Sequence, residues 1–503
     1  MPKRKKNLQI IIKYMKDKTP VHLLHNIEQE PCPELFYSIL SKELYAILIF
    51  VFLFMILITS NTYSQNQSWL WAQGAGSSLS ESAAGNATDN FGNVYFVGVY
   101  TCPSINFGGV SLNCINGRVG FIVKYNNDGI AQWAKNIAST AFSPTNINSV
   151  CADANNDIYL FGSGSNTVQI GSTSITAGGE YPILAKLNQD GNVLWIKSTP
   201  GTPIADGKAI CTDNIGNIYI AGSYRNFPLI FGNDTLMPDS VATNAFVAMY
   251  NTMGDPVWAK SFHAINKTGN NQIHARGIAV DSTGNVYVVG DFRGISMQID
   301  STILINSTPT TQNHNVFIVS LDNLGNLRWA HKANTSGTCY SRDIKVGTNE
   351  KIFAAGSTSA TISFNNITIP TNACTNTFLI QFDKDYNLFW GRNFNSGASA
   401  NEVLKLSTDT TGSVVVAGDF ANTINLDFYT FTSYGATDLF LARLDSSGNV
   451  TDATQAGGTS FETVTGLSLD RDNNCFVTGM YRSAQALFGI HTLLNDSIVF
   501  FNV

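Results

Sequence analysis

The sequence predicts an all-β fold, a seven-bladed β-propeller of four-stranded antiparallel blades. Its last blade would be closed by a strand from the mature N-terminus. Three observations predict this: a unit recurring seven times, four strand-like segments in each unit, and chain ends that complement each other. The unit is marked by a glycine, at Gly98, Gly162, Gly222, Gly290, Gly356, Gly418 and Gly479, with intervals of 60 to 68 residues. Such a period in a chain rich in turns indicates blades; the coils of a β-solenoid are shorter.

The clearest copy is Asp281-Ser-Thr-Gly-Asn-Val-Tyr-Val-Val-Gly290. Its Asp can cap a tight turn, and the turn glycine supplies a positive φ. Val286 to Val289 then put β-branched and aromatic groups on both faces, as a strand buried on both sides requires. Gly290 marks a bulge or the close approach of another backbone. Asp89-Asn-Phe-Gly-Asn-Val-Tyr-Phe-Val-Gly98 and Asp213-Asn-Ile-Gly-Asn-Ile-Tyr-Ile-Ala-Gly222 repeat the pattern. A second turn leads to a tryptophan, as in Asn188-Gln-Asp-Gly-Asn-Val-Leu-Trp195 and Asp322-Asn-Leu-Gly-Asn-Leu-Arg-Trp329; Trp133, Trp258 and Trp390 hold the same place.

Each unit thus reads as strands a to d. Strand a is short, as in residues 278–281, and strand b runs over residues 285–292. A variable stretch follows, often with a small hairpin of its own, as in residues 105–112. Strand c is apolar (residues 121–125, 183–187, 246–250, 317–321, 378–382 and 439–444), and strand d carries the tryptophan. Residues 498–503 read as the third strand of the seventh unit, with no tryptophan strand after them. Trp69-Leu-Trp-Ala-Gln73 matches Trp133-Ala134-Lys135 and Trp258-Ala259-Lys260, and would supply that strand. The pairing would cover two exposed edges.

Residues 1–44 are polar and open with a basic run at residues 3–6. Residues 45–58 form an uncharged apolar run, the length of a signal-peptide core and short of the roughly 20 residues that span a bilayer. Thr62-Tyr63-Ser64 before Gln65 reads as a cleavage site. The expected organisation is an export segment at 1–64 and the propeller at 65–503, secreted or at the cell surface. The alternative is a retained N-terminal anchor, the one membrane contact expected. With 13% charged residues and a net charge of −6 there is no basic footprint for nucleic acid.

Asp-x-x-Gly-Asn-x-Tyr-x-x-Gly, an apolar strand c and then Gly-Asn-x-x-Trp resemble the secreted bacterial β-propeller repeat, known as the SBBP repeat. The resemblance covers residues 65–503. It implies the architecture and export, and says almost nothing of activity, because fold does not fix function. Members from bacteria with type IX secretion often end in a sorting domain. None is expected here, where the sequence runs out inside the last blade.

Asp153-Ala-Asn-Asn-Asp157 and Asp470-Arg-Asp-Asn-Asn474 look superficially like calcium loops. They lack the glycine at the sixth place and the glutamate at the twelfth, and fall where other units have the plain a–b turn. No metal and no cofactor is expected. Cys102 and Cys114 flank one hairpin, so a disulfide is expected in an oxidising compartment, with Cys339–Cys374 a second candidate. Cys151, Cys211 and Cys475 read as small buried hydrophobes. His263 and His274 share the connection between the third and fourth units with Lys267 and Arg276, and read as a polar surface loop. There is no His-Glu-x-x-His pair, nucleophile elbow, phosphate loop or dinucleotide fingerprint, so no catalytic residue is assigned.

The expected function is a non-enzymatic binding or scaffold module for a protein or glycan ligand, acting as a monomer. The alternatives are a glycan-active hydrolase or lyase, needing two carboxylates over the central channel, and a structural surface or adhesin component. The a–b and c–d turns are uniform, whereas the b–c and d–a connections on the opposite face are long and varied, as recognition loops are. Three residues after the landmark glycine, at that face, stand Arg225, Arg293 and Arg482, each preceded by Tyr224, Phe292 or Tyr481. The forked arginine donors suit an acidic or glycan ligand; local pairing with a loop is the simpler reading.

Overall fold

The computed structural model describes residues 69–495 apart from 78–79, 102, 116, 140–144, 200–203, 240–241, 266–270, 309–312, 372–375 and 395–403. The export segment, the strand at 498–503, Cys102, Lys267 and Cys374 lie outside the described residues. Among the described residues the regular elements are all strands.

Unit 4 shows the plan. Strands a (Gln272–Val280), b (Val286–Arg293), c (His314–Leu321) and d (Leu327–Lys332) pair antiparallel in that order. Units 1 to 6 all contain this four-stranded series; unit 7 shows strands a (Glu462–Leu469) and b (Cys475–Tyr481) among the described residues. Strand a is longer than the sequence suggests. It runs upstream of residue 278 as far as Gln272, so His274 and Arg276 lie in a strand and not in a loop. His263 likewise belongs to strand d of unit 3, Pro256–Ala264.

The a–b turn accounts for the repeat motif atom by atom. Asp281 Oδ1 accepts from the backbone N of Thr283 and Asn285 at 2.9 Å, and Oδ2 accepts from Asn285 Nδ2 and Tyr287 OH at 2.8 Å. Asp89 and Asp213 hold Tyr95 and Tyr219 in the same way. In Asp153 and Asp470 the same turn donors engage the carboxylate, so these segments are capped turns.

The tryptophan motif couples neighbouring units. Trp133 Nε1 donates to Gln189 O in the next unit's c–d turn at 3.2 Å, Trp258 to Asn323 O at 3.1 Å and Trp390 to Ser446 O at 3.0 Å. Each turn glycine lies against the indole; a Cβ on Gly191 (φ +79) would come within 3.0 Å of the Trp133 ring. Glycine meets that φ and that contact without strain, and in unit 5 Tyr386 takes the place at φ +62 with its ring against Trp329.

A second coupling is absent from the motif. The b–c hairpin of one unit adds to strand d of the unit before it: His263 and Ala264 pair with Gln298 and Met297, and Gly457 and Gly458 with Leu487 and Ala486. Strand b of unit 2 pairs with strand d of unit 1, a parallel bridge from Glu180 to Ile204 joins units 2 and 3, and with the unit 4 hairpin these make one 14-stranded sheet. The core lies between neighbouring sheets, as where Tyr219, Val247 and Phe262 of unit 3 meet Ile278, Val288 and Phe317 of unit 4. Each such side chain contributes about 1.5–3 kcal/mol on full burial.

The first strands pack in sequence: unit 1 (Glu81–Thr88), unit 2 (Asn146–Ala152), unit 3 (Ile204–Thr212), unit 4, unit 5 (Cys339–Val346), unit 6 (Leu404–Thr408) and unit 7. Strand a of unit 7 also packs against that of unit 1. There Asn86 Nδ2 donates to Phe476 O at 2.7 Å and Thr88 Oγ1 to Leu469 O at 2.6 Å. Near the described N-terminus, Trp71 Nε1 donates to Asn127 O at 3.0 Å and its indole lies on Gly129, the relation Trp133 has to Gln189 and Gly191. Trp69 meets Phe488 edge-on at 5.3 Å, and its carbonyl lies 2.8 Å from His491 Nε2.

Candidate functional site

Six of the landmark glycines sit opposite a β-bulge. Gly290 faces Ala275 while Val289 faces Gly277, leaving Arg276 unpaired between them. A Cβ on Gly290 would come within 2.3 Å of His274 O and 2.1 Å of the Phe317 ring, so glycine lets strand a and the strand c phenylalanine close in. The same shift occurs opposite Gly98, Gly162, Gly222, Gly356 and Gly479. Bulges re-aim a side chain. Here they release one residue per unit, 14 positions before the glycine: Ala84, Asn148, Lys208, Arg276, Arg342 and Thr465. The residue two places earlier is Ser82, Asn146, Asp206, His274, Tyr340 or Thr463.

In units 3 to 5 these positions gather charge and aromatic surface, toward the face from which the b–c and d–a connections leave. Asp291 of strand b is fully buried, between the Arg276 guanidinium, which binds both its oxygens, and His314 Nδ1, 2.9 Å from Oδ2. Burial works to raise the Asp291 carboxyl, but Arg276 and the hydrogen bond from His314 outweigh it and hold it below the usual carboxylate range. The Arg276 charge is opposed by burial and secured by Asp291. His274 lies 3.4 Å from Ser223 Oγ through Nδ1, and burial pushes its imidazole down to about 4 despite the pull of Asp291. The His314 ring is 4.8 Å from that of Tyr340, and the Arg342 guanidinium lies over the Tyr340 ring, 5.8 Å from its centroid. On the unit 3 side, Lys208 pairs with Asp206 at 2.5 Å, and Asn148 Nδ2 donates to Asp206 Oδ1 at 3.0 Å.

The cluster holds a neutral histidine, a fixed arginine, and an arginine stacked on a tyrosine. Such a set can hold a carboxylate or sulfate group with a sugar ring lying on the aromatic face. Asp206 and Asp291 are each engaged by a cation, and burial with the Asp206 charge raises the Glu180 carboxyl beside them. No group of three or more His, Cys, Asp or Glu side chains suited to a metal occurs among the described residues.

Residues 268–291, strands a and b of unit 4 with the segment before them, match the family described as Beta-propeller repeat, SBBP. The chain carries the SBBP β-propeller repeat. It is 23% identical over 378 residues to an uncharacterized WD repeat-containing protein of Acanthamoeba polyphaga mimivirus, covering 61% of this chain and 26% of that protein. The chain thus spans about a quarter of that relative's length. Among solved structures, it is similar to a polysaccharide lyase of family PL25, an ulvan lyase, with 11% identity, a TM-score of 0.44, and 84% of this chain and 96% of that one covered. It is also similar to a protein of unknown function from Dyadobacter fermentans, with 10% identity, a TM-score of 0.37, and 68% and 91% covered.

The strands place the sequence-predicted residues in two settings. Tyr224 and Phe292 are buried in the core, and the Tyr224 hydroxyl bonds Met237 O and Ser261 Oγ. Tyr481 donates to Leu494 O at 3.2 Å, tying its unit's hairpin in the same way. Strand b turns Tyr224 and Phe292 inward, so they offer no ring to a ligand, whereas Tyr481 is half-buried. Arg225 is exposed beside Glu180 and Asp206, and Arg293 is half-buried in register with His314; both border the cluster. Arg482 is exposed on unit 7, whose bulge carries Thr465, so the three arginines are not brought together.

Cys114 is disulfide-bonded. Cys339 is a buried free thiol whose sulfur lies 3.2 Å from Val316 N, which corrects the second disulfide candidate. Cys151, Cys211 and Cys475 are also free, and half-buried where full burial was expected. The sequence reading missed His274, Arg276, Tyr340 and Arg342 because it aligned the repeat only downstream of residue 278. The column 14 positions before each glycine holds Lys208, Arg276 and Arg342 in successive units, a signal present in the sequence.

Proposed function

We propose that the seven units close into a propeller, completed by the strand that carries Trp71, and that its charged mouth binds an acidic glycan. Closure is supported by Trp71 standing to Asn127 and Gly129 as Trp133, Trp258 and Trp390 stand to the next unit, and by the first strands of units 7 and 1 packing together. Removing residues 65–73 should then lower the melting temperature sharply, since loss of a core indole costs about 3–5 kcal/mol. An unchanged melting temperature would exclude this closure.

One observation carries the glycan reading: His274, Arg276, Tyr340 and Arg342 converge around the buried Asp291 in a chain that is otherwise acidic. Calorimetry with polygalacturonate and with neutral dextran tests it. Wild type should bind the former alone, and Arg342→Ala or Tyr340→Ala should weaken binding about tenfold, the worth of a hydrogen bond to a charged group. Equal binding of both polymers would count against it. Export by the N-terminal apolar run belongs to the same reading, with a mature start at Gln65 by N-terminal sequencing.

The neutral His274 beside Arg276 favours a second reading, a lyase. Arginine would neutralise a uronate carboxylate while the imidazole takes the proton on the adjoining carbon; the C–H electron pair becomes the C=C bond as the glycosidic C–O bond breaks, and the departing oxygen takes a proton from water. Release of an unsaturated uronate, followed by ultraviolet absorbance, separates the lyase from a binding module.

A further inference from the structure

Below the mouth, the position after the bulge faces the neighbouring first strand and is small in most units: Gly85, Ser149, Ala209, Gly277 and Gly466. Units 5 and 6 depart from this with Asp343 and Lys405. The Asp343 carboxylate is already engaged: Oδ1 accepts from Ile344 N at 2.9 Å and lies 3.3 Å from Lys345 Nζ, and Oδ2 accepts from Leu406 N at 3.0 Å. Lys405, half-buried on the adjacent strand, has no hydrogen bond and no ion pair within 4.0 Å among the described residues. The charges around it are Asp343, Lys345 and Arg342, and burial pushes its ammonium down. Lys345 in turn faces Cys151 and Cys211, from the first strands of units 2 and 3. Two further cations and one carboxylate, itself bound to two backbone amides, thus act on Lys405.

We infer that Lys345 and Lys405 form an inner site for an oxyanion, below the mouth and distinct from it. This deepens the reading above, since an acidic glycan seated at the mouth could place a sulfate ester there. Free sulfate or phosphate offers the same tetrahedral oxygens. A half-buried ammonium without a partner is costly, and an oxyanion would supply the missing acceptors with charge-assisted hydrogen bonds.

The test follows thermal unfolding of the mature chain in millimolar sodium sulfate or phosphate, against sodium chloride at equal ionic strength. Wild type should show a saturable rise in melting temperature with the oxyanions only. Lys405→Met and Lys345→Met should abolish the rise, and Lys405→Met should unfold no lower than wild type without sulfate. Tyr340→Ala, a change at the mouth, should keep it. Heparin, which carries sulfate, should bind about tenfold tighter than polygalacturonate, a margin that Lys405→Met removes. A full sulfate response in Lys405→Met, or its loss in Tyr340→Ala, would overturn the inner site. Because inorganic sulfate is measured without a polymer, failure of glycan binding at the mouth reads out separately.

Discussion

Strand a of unit 4 and strand a of unit 7 follow the same path and carry the same bulge, yet present different chemistry. Unit 4 puts Arg276 at the bulge and His274 two places earlier, opposite a buried Asp291; unit 7 puts Thr465 and Thr463 there, opposite Met480. The glycines behind them are held alike, since a Cβ would come within 2.3 Å of His274 O at Gly290 and 2.2 Å of Thr463 O at Gly479. The backbone device belongs to the repeat. What it displays is free to vary, and charge has collected in one arc.

The largest contrast is expected at the bulge itself. Arg276→Ala leaves the Asp291 carboxylate buried with only His314, and should cost about 3 kcal/mol, the low end for breaking a buried pair. Thr465→Ala should stay within about 0.5 kcal/mol. Urea denaturation measures both, and equal costs would break the distinction between the arcs.

Next come the glycines, where the two arcs should behave alike. Gly290→Ala and Gly479→Ala should each cost roughly 1–3 kcal/mol, as overpacking does. If only Gly290→Ala destabilises, the bulge is a property of the charged arc and not of the repeat.

A pH dependence is expected of the charged arc alone. With burial holding His274 at about 4, the unfolded chain binds a proton that the folded chain refuses between there and roughly 6.5. Stability should therefore fall as pH drops through that window and level off below it. Asp291, Arg276, His314 and Lys208 are the charges acting on His274. Urea midpoints of wild type and His274→Gln at about pH 7 and about pH 5 should show a shallower loss in the variant; parallel losses would remove His274 as the source.

Much of the fold was legible because it rests on local chemistry. Asp281, Asn285 and Tyr287 lie within seven residues, so their hydrogen bonds appear as a motif. The glycine of the c–d turn and the tryptophan could be located as repeated positions. That they touch across units, as Gly191 touches Trp133, could not. The site was poorly legible for the same reason. Tyr224 and Phe292 looked like surface aromatics because alternation along strand b leaves open which face meets the core, and the hairpin covering them is long-range.

By itself, then, the sequence determined the period, the strands and the turns that join them, since each depends on residues a few positions apart. Tertiary structure alone decided that b–c hairpins pair with the preceding unit, that strand a bulges opposite six of the landmark glycines, and that His274, Arg276, His314, Tyr340 and Arg342 meet. Those contacts join residues up to 68 positions apart on separate sheets. Their proximity follows from how sheets pack face to face, an arrangement to which no single stretch of chain is committed.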